Sequence, residues 1–269
     1  IESLIKKELK KISIAGPGFI NFTLSDNFYY RNLLNVIDNP KYGKIEQKKS
    51  KTALVEFVSA NPTGPLTVGH GRGAVLGDTI SNILDWNGYE VVREYYFNNA
   101  GKQMRVLGES VASRYEQIYK KESEFPDYGY QGEYIKDIAK LIATKYNDNL
   151  LNDNQNQIFK QSAENFVFQD IKKTLKKIKI KFDSFFNEDD LYTSGAIKKT
   201  LSNLKGKNII YEKDGATWFN AKSINREQDK VLVKSSGEPT YRLPDVAYHK
   251  DKFNRKFDLI VDIFGADHS

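Results

Sequence analysis

The sequence predicts an α/β fold with a doubly wound parallel sheet, and two observations indicate it. First, apolar runs at 52–58 and 89–97 are separated by a glycine-containing loop and a helix-like segment, which gives a strand, helix, strand unit. Second, a third apolar run at 258–264 follows a long polar stretch of helical periodicity, at about 101–190. We therefore expect a Rossmann-like sheet with a helical insertion between its strands.

The helix of the first unit is expected to begin at about Gly69. Leu76, Ile80 and Ile83 recur at helical spacing, and Gly88 stands where a C-terminal cap is expected. The N-terminus of this helix should therefore follow closely on the carboxyl end of the first strand.

The first part of the chain differs in character from the rest. It contains a strand-like segment at 12–24, with a Gly-Pro-Gly turn inside it, and a helix-like segment that ends at Asn39-Pro40. We expect 1–49 to be the remnant of an additional N-terminal domain with a linker, and 50–269 to be the Rossmann-like domain. The chain starts without methionine and stops just after a strand-like run, so we expect a fragment of a longer protein.

Two further elements are predicted between the insertion and the last strand. Asp214-Gly215 between two β-rich pieces is a strong hairpin signal, and 230–234 reads as another strand. A helix is expected from Pro239 or Tyr241 to about Lys250.

Composition excludes several kinds of chemistry. The chain has no cysteine, which removes disulfides and thiolate metal sites, and its three histidines are too scattered to predict a zinc site. Without 18 consecutive apolar residues no membrane span is expected, and we place the protein in the cytoplasm. The net charge of +6 suits contact with a polyanion but does not require it.

A glycine-histidine pair marks the expected start of the first helix. Backbone N–H groups and the positive end of the helix dipole favour an anion there, Gly69 lets a planar base approach, and His70 can donate to a phosphate oxygen. This arrangement suits ATP. Taken alone, His70 could instead merely cap its own helix.

Several ordered segments resemble one family. The run VEFVSANPTGPL, the VGHGRGAVLGD that follows it and NGYEVVREYYFNNAGKQM resemble the HIGH region of bacterial arginyl-tRNA synthetases, which are class I enzymes. VLVKSSGEPTYRLPDVAYHKDKF and FGADHS continue the resemblance. It covers 12–24 and 52–269, although the helical insertion matches only in character.

The resemblance implies an activity. ATP and L-arginine would form arginyl-adenylate and pyrophosphate, with Mg²⁺ shielding the phosphates and no tightly bound protein metal site, and arginine would pass to the 3′ end of tRNA(Arg). It assigns catalysis to His70 and Thr67 and ATP binding to these two with Gly69 and His268. The first histidine of the motif is replaced by Thr67, whose hydroxyl can hydrogen-bond a phosphate but is never cationic, so catalysis is expected to be weaker.

The resemblance also implies an arginine site. The positions assigned to it are Glu56, Ser59, Asn61, Tyr241 and Asp245. A guanidinium is planar, permanently charged and best met side-on by a carboxylate, so Asp245 is our candidate for that role. Tyr241 and Asp245 are four residues apart and would share a helix face. Without the resemblance they would read as a surface tyrosine beside a capping aspartate.

Other features fit the same interpretation or stay neutral. The family's second motif and its anticodon-binding domain are expected beyond Ser269, so the fragment alone should catalyse poorly, and we expect a monomer. Lys234-Ser235-Ser236-Gly237 is read as a strand-to-helix turn and not as that second motif. The lysine cluster at 172–181 is read as a solvated helix face.

Two rival functions stay open from the sequence. A synthetase-like protein that binds RNA or a partner without chemistry is kept open by Thr67. Another nucleotidyl transferase could share the glycine-histidine helix start, but it leaves Glu56, Tyr241 and Asp245 without a role.

Overall fold

The structure is a computed structural model, and it describes residues 8–46, 50–120, 122–151 and 157–265. In chain order the strands and helices are β1 (Leu9–Ala15), β2 (Phe19–Leu24), α1 (Asp26–Asp38), β3 (Thr52–Glu56), α2 (Val68–Trp86), β4 (Glu90–Phe97), α3 (Gly101–Tyr119), α4 (Glu133–Tyr146), α5 (Gln157–Lys177), β5 (Ser184–Asn187), α6 (Glu188–Thr193), α7 (Ala196–Gly206), β6 (Ile210–Lys213), β7 (Ala216–Phe219), a 3₁₀ turn (Ala221–Ile224), β8 (Lys230–Val233), α8 (Arg242–Asn254) and β9 (Leu259–Asp262). They divide into two compact units, one of 1–48 with 86–88 and one of 49–85 with 89–269.

The smaller unit is a β-hairpin followed by a helix. Strands β1 and β2 pair antiparallel through a turn in which Gly16 and Gly18 adopt positive φ of 55° and 96°, a conformation that favours glycine. Ser25 caps α1 by accepting a hydrogen bond from the backbone N–H of Phe28 at 3.2 Å. The 12–24 strand segment is therefore a hairpin, and its assignment to an additional domain stays a prediction.

The larger unit is organised by a four-stranded sheet of order β5-β4-β3-β9, with all neighbours parallel. Ala53, Leu54 and Val55 of β3 have no exposed surface, as expected for a central strand covered on both faces. From β3 the chain adds β4 and β5 on one side and later β9 on the other. The sheet therefore changes direction between β3 and β9, which confirms the doubly wound α/β prediction.

Helix α2 packs closely against the end of β3. A Cβ atom added at Gly77 would lie 2.1 Å from Phe57 Cγ, so only glycine permits this approach of helix to strand. Gly88 closes the helix with a φ of 85°, in agreement with the predicted cap.

The insertion is a three-helix layer that shares a helix with the main core. Helices α3, α4 and the start of α5 enclose one apolar cluster, which includes Met104, Ile138 and Phe159. The second half of α5 places Ile171 and Leu175 in the cluster beneath the sheet. The helices end at Lys177, and β5 at 184–187 is a strand of the main sheet although it lies inside the range predicted as insertion. Four residues between polar helices are too few for periodicity to reveal a strand.

The part of the chain after the insertion contains the predicted hairpin and helix α8, near whose start Tyr241 and Asp245 lie. Asp214 and Gly215 have φ of 53° and 74° and join β6 to β7, as the hairpin signal predicted. Helix α8 begins at Arg242 and continues to Asn254, past the predicted end. Pro244 stands in its first turn, where no intrahelical N–H partner is lost. Among the residues that the structure describes, no helix combines the length and apolar character needed to cross a bilayer.

Candidate active site

The candidate site lies above the carboxyl ends of β3 and β9. Glu56 is the register partner of Asp262 in β9 and of Glu94 in β4, so three carboxylates lie side by side on adjacent parallel strands. Glu56 and Asp262 are the last residues of their strands. The crevice at such a change of direction is where open α/β sheets bind their ligands.

The loop after β3 has a constrained backbone. Val58 and Ser59 adopt φ of 67° and 40°, a region that a β-branched residue rarely enters. The Ser59 N–H donates to Phe57 O at 2.9 Å, and Tyr95 donates its hydroxyl to Ala60 O at 2.8 Å. Such backbone strain persists only where surrounding contacts impose it, and it is often found at functional sites.

Ser59 and Asn61, two of the predicted arginine contacts, lie in this loop. The Ser59 hydroxyl donates to Glu56 Oε1 at 2.7 Å and accepts from the Tyr96 N–H at 3.1 Å. Asn61 is exposed, and its side-chain amide donates a hydrogen bond of 2.7 Å to Oε1 of Gln103, which lies in the first turn of α3. The insertion thus helps to hold the loop.

The His70 side chain caps the start of α2. The Thr67 backbone N–H donates to His70 Nδ1 at 3.0 Å, and Thr67 Oγ1 lies 3.0 Å from the same nitrogen. This bond is the half of a capping box in which the side chain at the third helical position accepts from the backbone N–H of the residue before the helix. Because Nδ1 accepts the backbone N–H, the neutral ring carries its proton on Nε2. The capping role therefore fixes the tautomer that can donate to a phosphate oxygen. Gly69 lies between the two residues and is exposed.

Glu56 is not an open carboxylate. Its side chain is buried and bonded to the ammonium of Lys252, which also lies 2.5 Å from Asp262 Oδ1 and has no exposed surface. Burial raises the pKa of Glu56, and the Lys252 charge opposes that shift. The sequence suggested a strand-end acid facing the loop, and Glu56 does accept from Ser59 of that loop. The structure also pairs this acid with Lys252, so the contact with arginine that the resemblance implies for Glu56 stays a prediction.

Tyr241 and Asp245 are brought together at the start of α8. Tyr241 precedes the first turn and is 69% exposed, and the Asp245 N–H donates to Tyr241 O at 3.3 Å. The Asp245 side chain is 59% exposed, and its Oδ1 lies 3.4 Å from His249 Nε2. An exposed carboxylate with a free approach side is suited to a cationic ligand.

A second acid lies beside Asp245. Glu188, at the start of α6, is buried and accepts a hydrogen bond from the Tyr96 hydroxyl at 2.8 Å. Burial raises the pKa of Glu188, and repulsion from Asp189 and Asp245 adds to the rise. Glu188, Asp189 and Asp245 thus repel one another, and a positively charged ligand would relieve that repulsion.

The buried carboxylate of Glu94 is held by three hydrogen bonds from the helix that carries Asp245 and from the residue that follows it. Arg255 donates from Nη1 and Nη2 to the two oxygens of Glu94, both at 2.7 Å, and the Tyr248 hydroxyl donates to the same carboxylate at 2.7 Å. Burial alone would raise the pKa of Glu94, but the Arg255 bonds hold it below its usual value. Glu94 is therefore an ionised structural anion that ties α8 to β4.

Several residues of the site were missed in the sequence. His249 and Lys252 lie four and seven residues after Asp245 on the same helix, and this spacing, which keeps residues on one helix face, was a usable signal. Glu188 begins an acidic triplet directly after a short strand. Glu94 lies inside the apolar strand β4 and Asp262 at the end of β9, and neither gave a signal of its own. His268 lies outside the described residues, and in the described part no group of acids and histidines is arranged to hold a metal ion.

Fold and site together define a Rossmann-type α/β domain whose polar groups gather where the sheet changes direction. A family model described as tRNA synthetases class I (R), catalytic domain, matches residues 32–268. The chain belongs to this family.

Curated relatives agree with the family. An arginine–tRNA ligase from Chlorobium limicola is 52% identical over 266 residues, which are 97% of this chain and 48% of that protein. One from Desulfotalea psychrophila is 47% identical over 258 residues, 96% of this chain and 47% of that protein. The chain therefore spans about half the length of the curated relatives it matches.

Solved structures agree as well. A crystal structure described as an arginyl-tRNA synthetase from Campylobacter jejuni matches with a TM-score of 0.82 and 37% identity, over 91% of this chain and 54% of that chain. The arginyl-tRNA synthetase of Thermus thermophilus matches with a TM-score of 0.58 at 22% identity, over 90% of this chain and 41% of that chain, which shows the fold alone.

Proposed function

We propose that the whole protein is an arginine–tRNA ligase that activates L-arginine with ATP and transfers it to the 3′ end of tRNA(Arg). The observation that carries the proposal is the exposed Asp245 carboxylate beside the buried Glu188–Tyr96 pair, above the strand ends of a class I synthetase fold. Because the chain spans about half of its relatives, the complete reaction belongs to the whole protein.

The arginine side of the site depends on charge. Asp245 meets the guanidinium side-on, and the ring of Tyr241 lines the entrance. Ser59 and Asn61, held in the strained loop, are placed for the polar groups of the substrate backbone. Lysine offers an ammonium instead of a planar fork and forms no bidentate pair, so this carboxylate selects against it.

The ATP side depends on the start of α2. Gly69 exposes backbone N–H groups to a phosphate, and His70 donates from Nε2 to the α-phosphate while Thr67 fixes its ring. A carboxylate oxygen of arginine attacks the α-phosphorus, the bond to the bridging oxygen breaks, and pyrophosphate leaves with Mg²⁺. The assignment of His268 to this side is kept as part of the proposal.

The remaining partners follow from the proposed reaction. tRNA(Arg) receives the activated arginine on a terminal hydroxyl, and we propose a monomer that acts in the cytoplasm. The non-catalytic alternative drew on Thr67, but Thr67 takes part in the cap that orients His70.

Substitution of Asp245 by asparagine tests the proposal. Asp245→Asn in the full-length protein should weaken L-arginine binding by about 100-fold, because a charged hydrogen-bonded pair contributes about 2–3 kcal/mol. Binding is measured by calorimetric titration, and arginine-dependent pyrophosphate exchange with tRNA present is measured in parallel.

Asp137→Asn serves as the matched control, since it removes an exposed helical acid, paired with Lys140 at 3.8 Å, from α4 of the insertion. It should leave arginine binding unchanged. Unaltered arginine affinity in Asp245→Asn would refute the assignment, and absence of exchange in the unsubstituted protein would favour the non-catalytic alternative.

A further inference from the structure

His249 lies between two carboxylates and has no role in the reaction proposed above. Its Nε2 is 3.4 Å from Asp245 Oδ1, and its Nδ1 is 3.7 Å from Asp262 Oδ2. The imidazole is 27% exposed, so it is neither free in solvent nor sealed in the core. Both ring nitrogens therefore face acids, one at the arginine pocket and one at the end of β9.

The charges around His249 make its protonation state matter. Within the described residues, the charged groups that act on it are Asp245 and Lys252 of α8 and Asp262 of β9. Lys252 is already shared between Glu56 and Asp262, and in the described part of the chain the ion pair of Asp245 is with His249. The hydrogen bond to Asp245 raises the pKa of His249, which brings its titration further into the neutral range.

An arginine guanidinium would meet this arrangement as a second cation. The Asp245 side chain is 59% exposed although it contacts His249, so there is room for the ligand. A neutral imidazole can still donate from Nε2 to Oδ1 and hold the carboxylate in place. A positively charged imidazole holds it too, but it also repels the guanidinium and neutralises the charge that attracts it.

We propose that His249 positions Asp245 for the guanidinium, and that the imidazolium form of His249 competes with that guanidinium for the carboxylate. The inference rests on the proposed function, since it concerns the same arginine pocket. Binding of the cationic ligand favours the neutral ring and releases a proton from His249 to solvent. By linkage, arginine affinity rises as pH increases through the range in which His249 titrates.

Two variants separate the positioning role from the protonation. Glutamine at 249 places an uncharged amide donor near the position of Nε2, which faces Asp245, whereas asparagine reaches only the region of Nδ1. His249→Gln should therefore keep the affinity of the unsubstituted protein at high pH and lose its pH dependence. His249→Asn should bind arginine about tenfold more weakly than His249→Gln at every pH, an effect of the size expected for one lost hydrogen bond to a charged group.

The experiment is calorimetric titration of the full-length protein with L-arginine, without ATP, between about pH 6 and pH 8, where histidine titrates. Two buffers of different ionisation enthalpy report the number of protons released. The unsubstituted protein should release a fraction of a proton and bind about three- to tenfold more weakly at the lower pH, because a single proton competes. His249→Gln should release none.

Controls separate this inference from the proposed function. Asp245→Asn in the same titration tests the pocket itself, and Lys136→Gln removes an exposed ion pair from α4 without altering either result. Arginine binding that needs Asp245 but keeps its proton release in His249→Gln would overturn the inference alone. Affinity in His249→Asn equal to that of the unsubstituted protein at high pH, with an unchanged melting curve, would overturn the positioning role. Arginine binding that does not need Asp245 would overturn the proposed function.

Discussion

Lys252 is a fully buried cation, a rare environment for this residue type. It lies between Glu56 at the end of β3 and Asp262 at the end of β9, so its ammonium joins two neighbouring strands to α8. Removing an ammonium from water is costly, and the cost is offset only where carboxylates surround it. The ion pairs therefore fix the helix that carries Asp245 and His249 against the strands beneath them.

Replacing Lys252 by methionine should destabilise the protein severely. The Lys252→Met variant takes the ammonium away from the buried Glu56 and the partly buried Asp262. We expect the free energy of unfolding to fall by about 3–5 kcal/mol, measured by urea denaturation. Lys250→Met, on the same helix, should change it by less than about 0.5 kcal/mol. Equal stability of Lys252→Met and the unsubstituted protein would show that the buried ion pairs do not hold the site.

At the scale of elements, α2 connects the sheet to the expected ATP side. Its position is set by Gly77, because Phe57 occupies the space where a Cβ atom would lie. Phe57 in turn begins the strained loop and is fully buried. A shift of α2 away from the sheet would therefore move the Thr67–His70 cap and the loop that carries Ser59 and Asn61 at the same time.

Gly77→Ala should push α2 away from the sheet. We expect a loss of about 1–3 kcal/mol in the free energy of unfolding, the usual cost of overpacking, together with weaker ATP binding. Gly73→Ala in the same helix is the matched control, since no atom lies within 4 Å of its added Cβ. It should leave stability unchanged or raise it by about 0.5–1 kcal/mol through helix propensity. If both variants behave alike, close packing at Gly77 is not what positions the helix.

At the scale of the whole molecule, the insertion and the sheet share one helix. The first half of α5 completes the core of the insertion, and its second half supplies Val167, Ile171 and Leu175 to the core beneath the sheet. The 1–48 segment belongs to a separate compact unit, and the only later residues in that unit are 86–88. The insertion is therefore part of the larger folding unit, whereas 1–48 is not.

Deletions should reveal this division. A chain of 49–269 is expected to keep one cooperative thermal transition, because its sheet and three apolar clusters stay intact. A chain without 101–180 should lose that transition, because it also loses Val167, Ile171 and Leu175 from under the sheet. Circular dichroism at increasing temperature distinguishes the two, and a cooperative transition in the second chain would contradict the shared core.

The sequence by itself determined the first strand, helix and strand, the class of the parallel sheet and the helix start at Gly69 and His70, but it did not reveal β5. These depend on local periodicity, on turn residues such as Asp214-Gly215 and on glycines whose conformations no other residue favours. The pairing of Tyr241 with Asp245 was also a local property, since both lie within one turn of a helix.

The tertiary structure decided which charges face each other. Glu56, Asp262 and Lys252 are separated by up to 206 residues, the span of the contacts that join β3 to β9, and only the sheet register brings them together. Glu188 reaches Tyr96 across 92 residues for the same reason. Electrostatic pairing depends on distance in space, whereas the periodicity of a sequence shows only which residues are neighbours on one helix or strand. The partner of a buried charge is therefore determined by the packing of elements that are distant in the sequence.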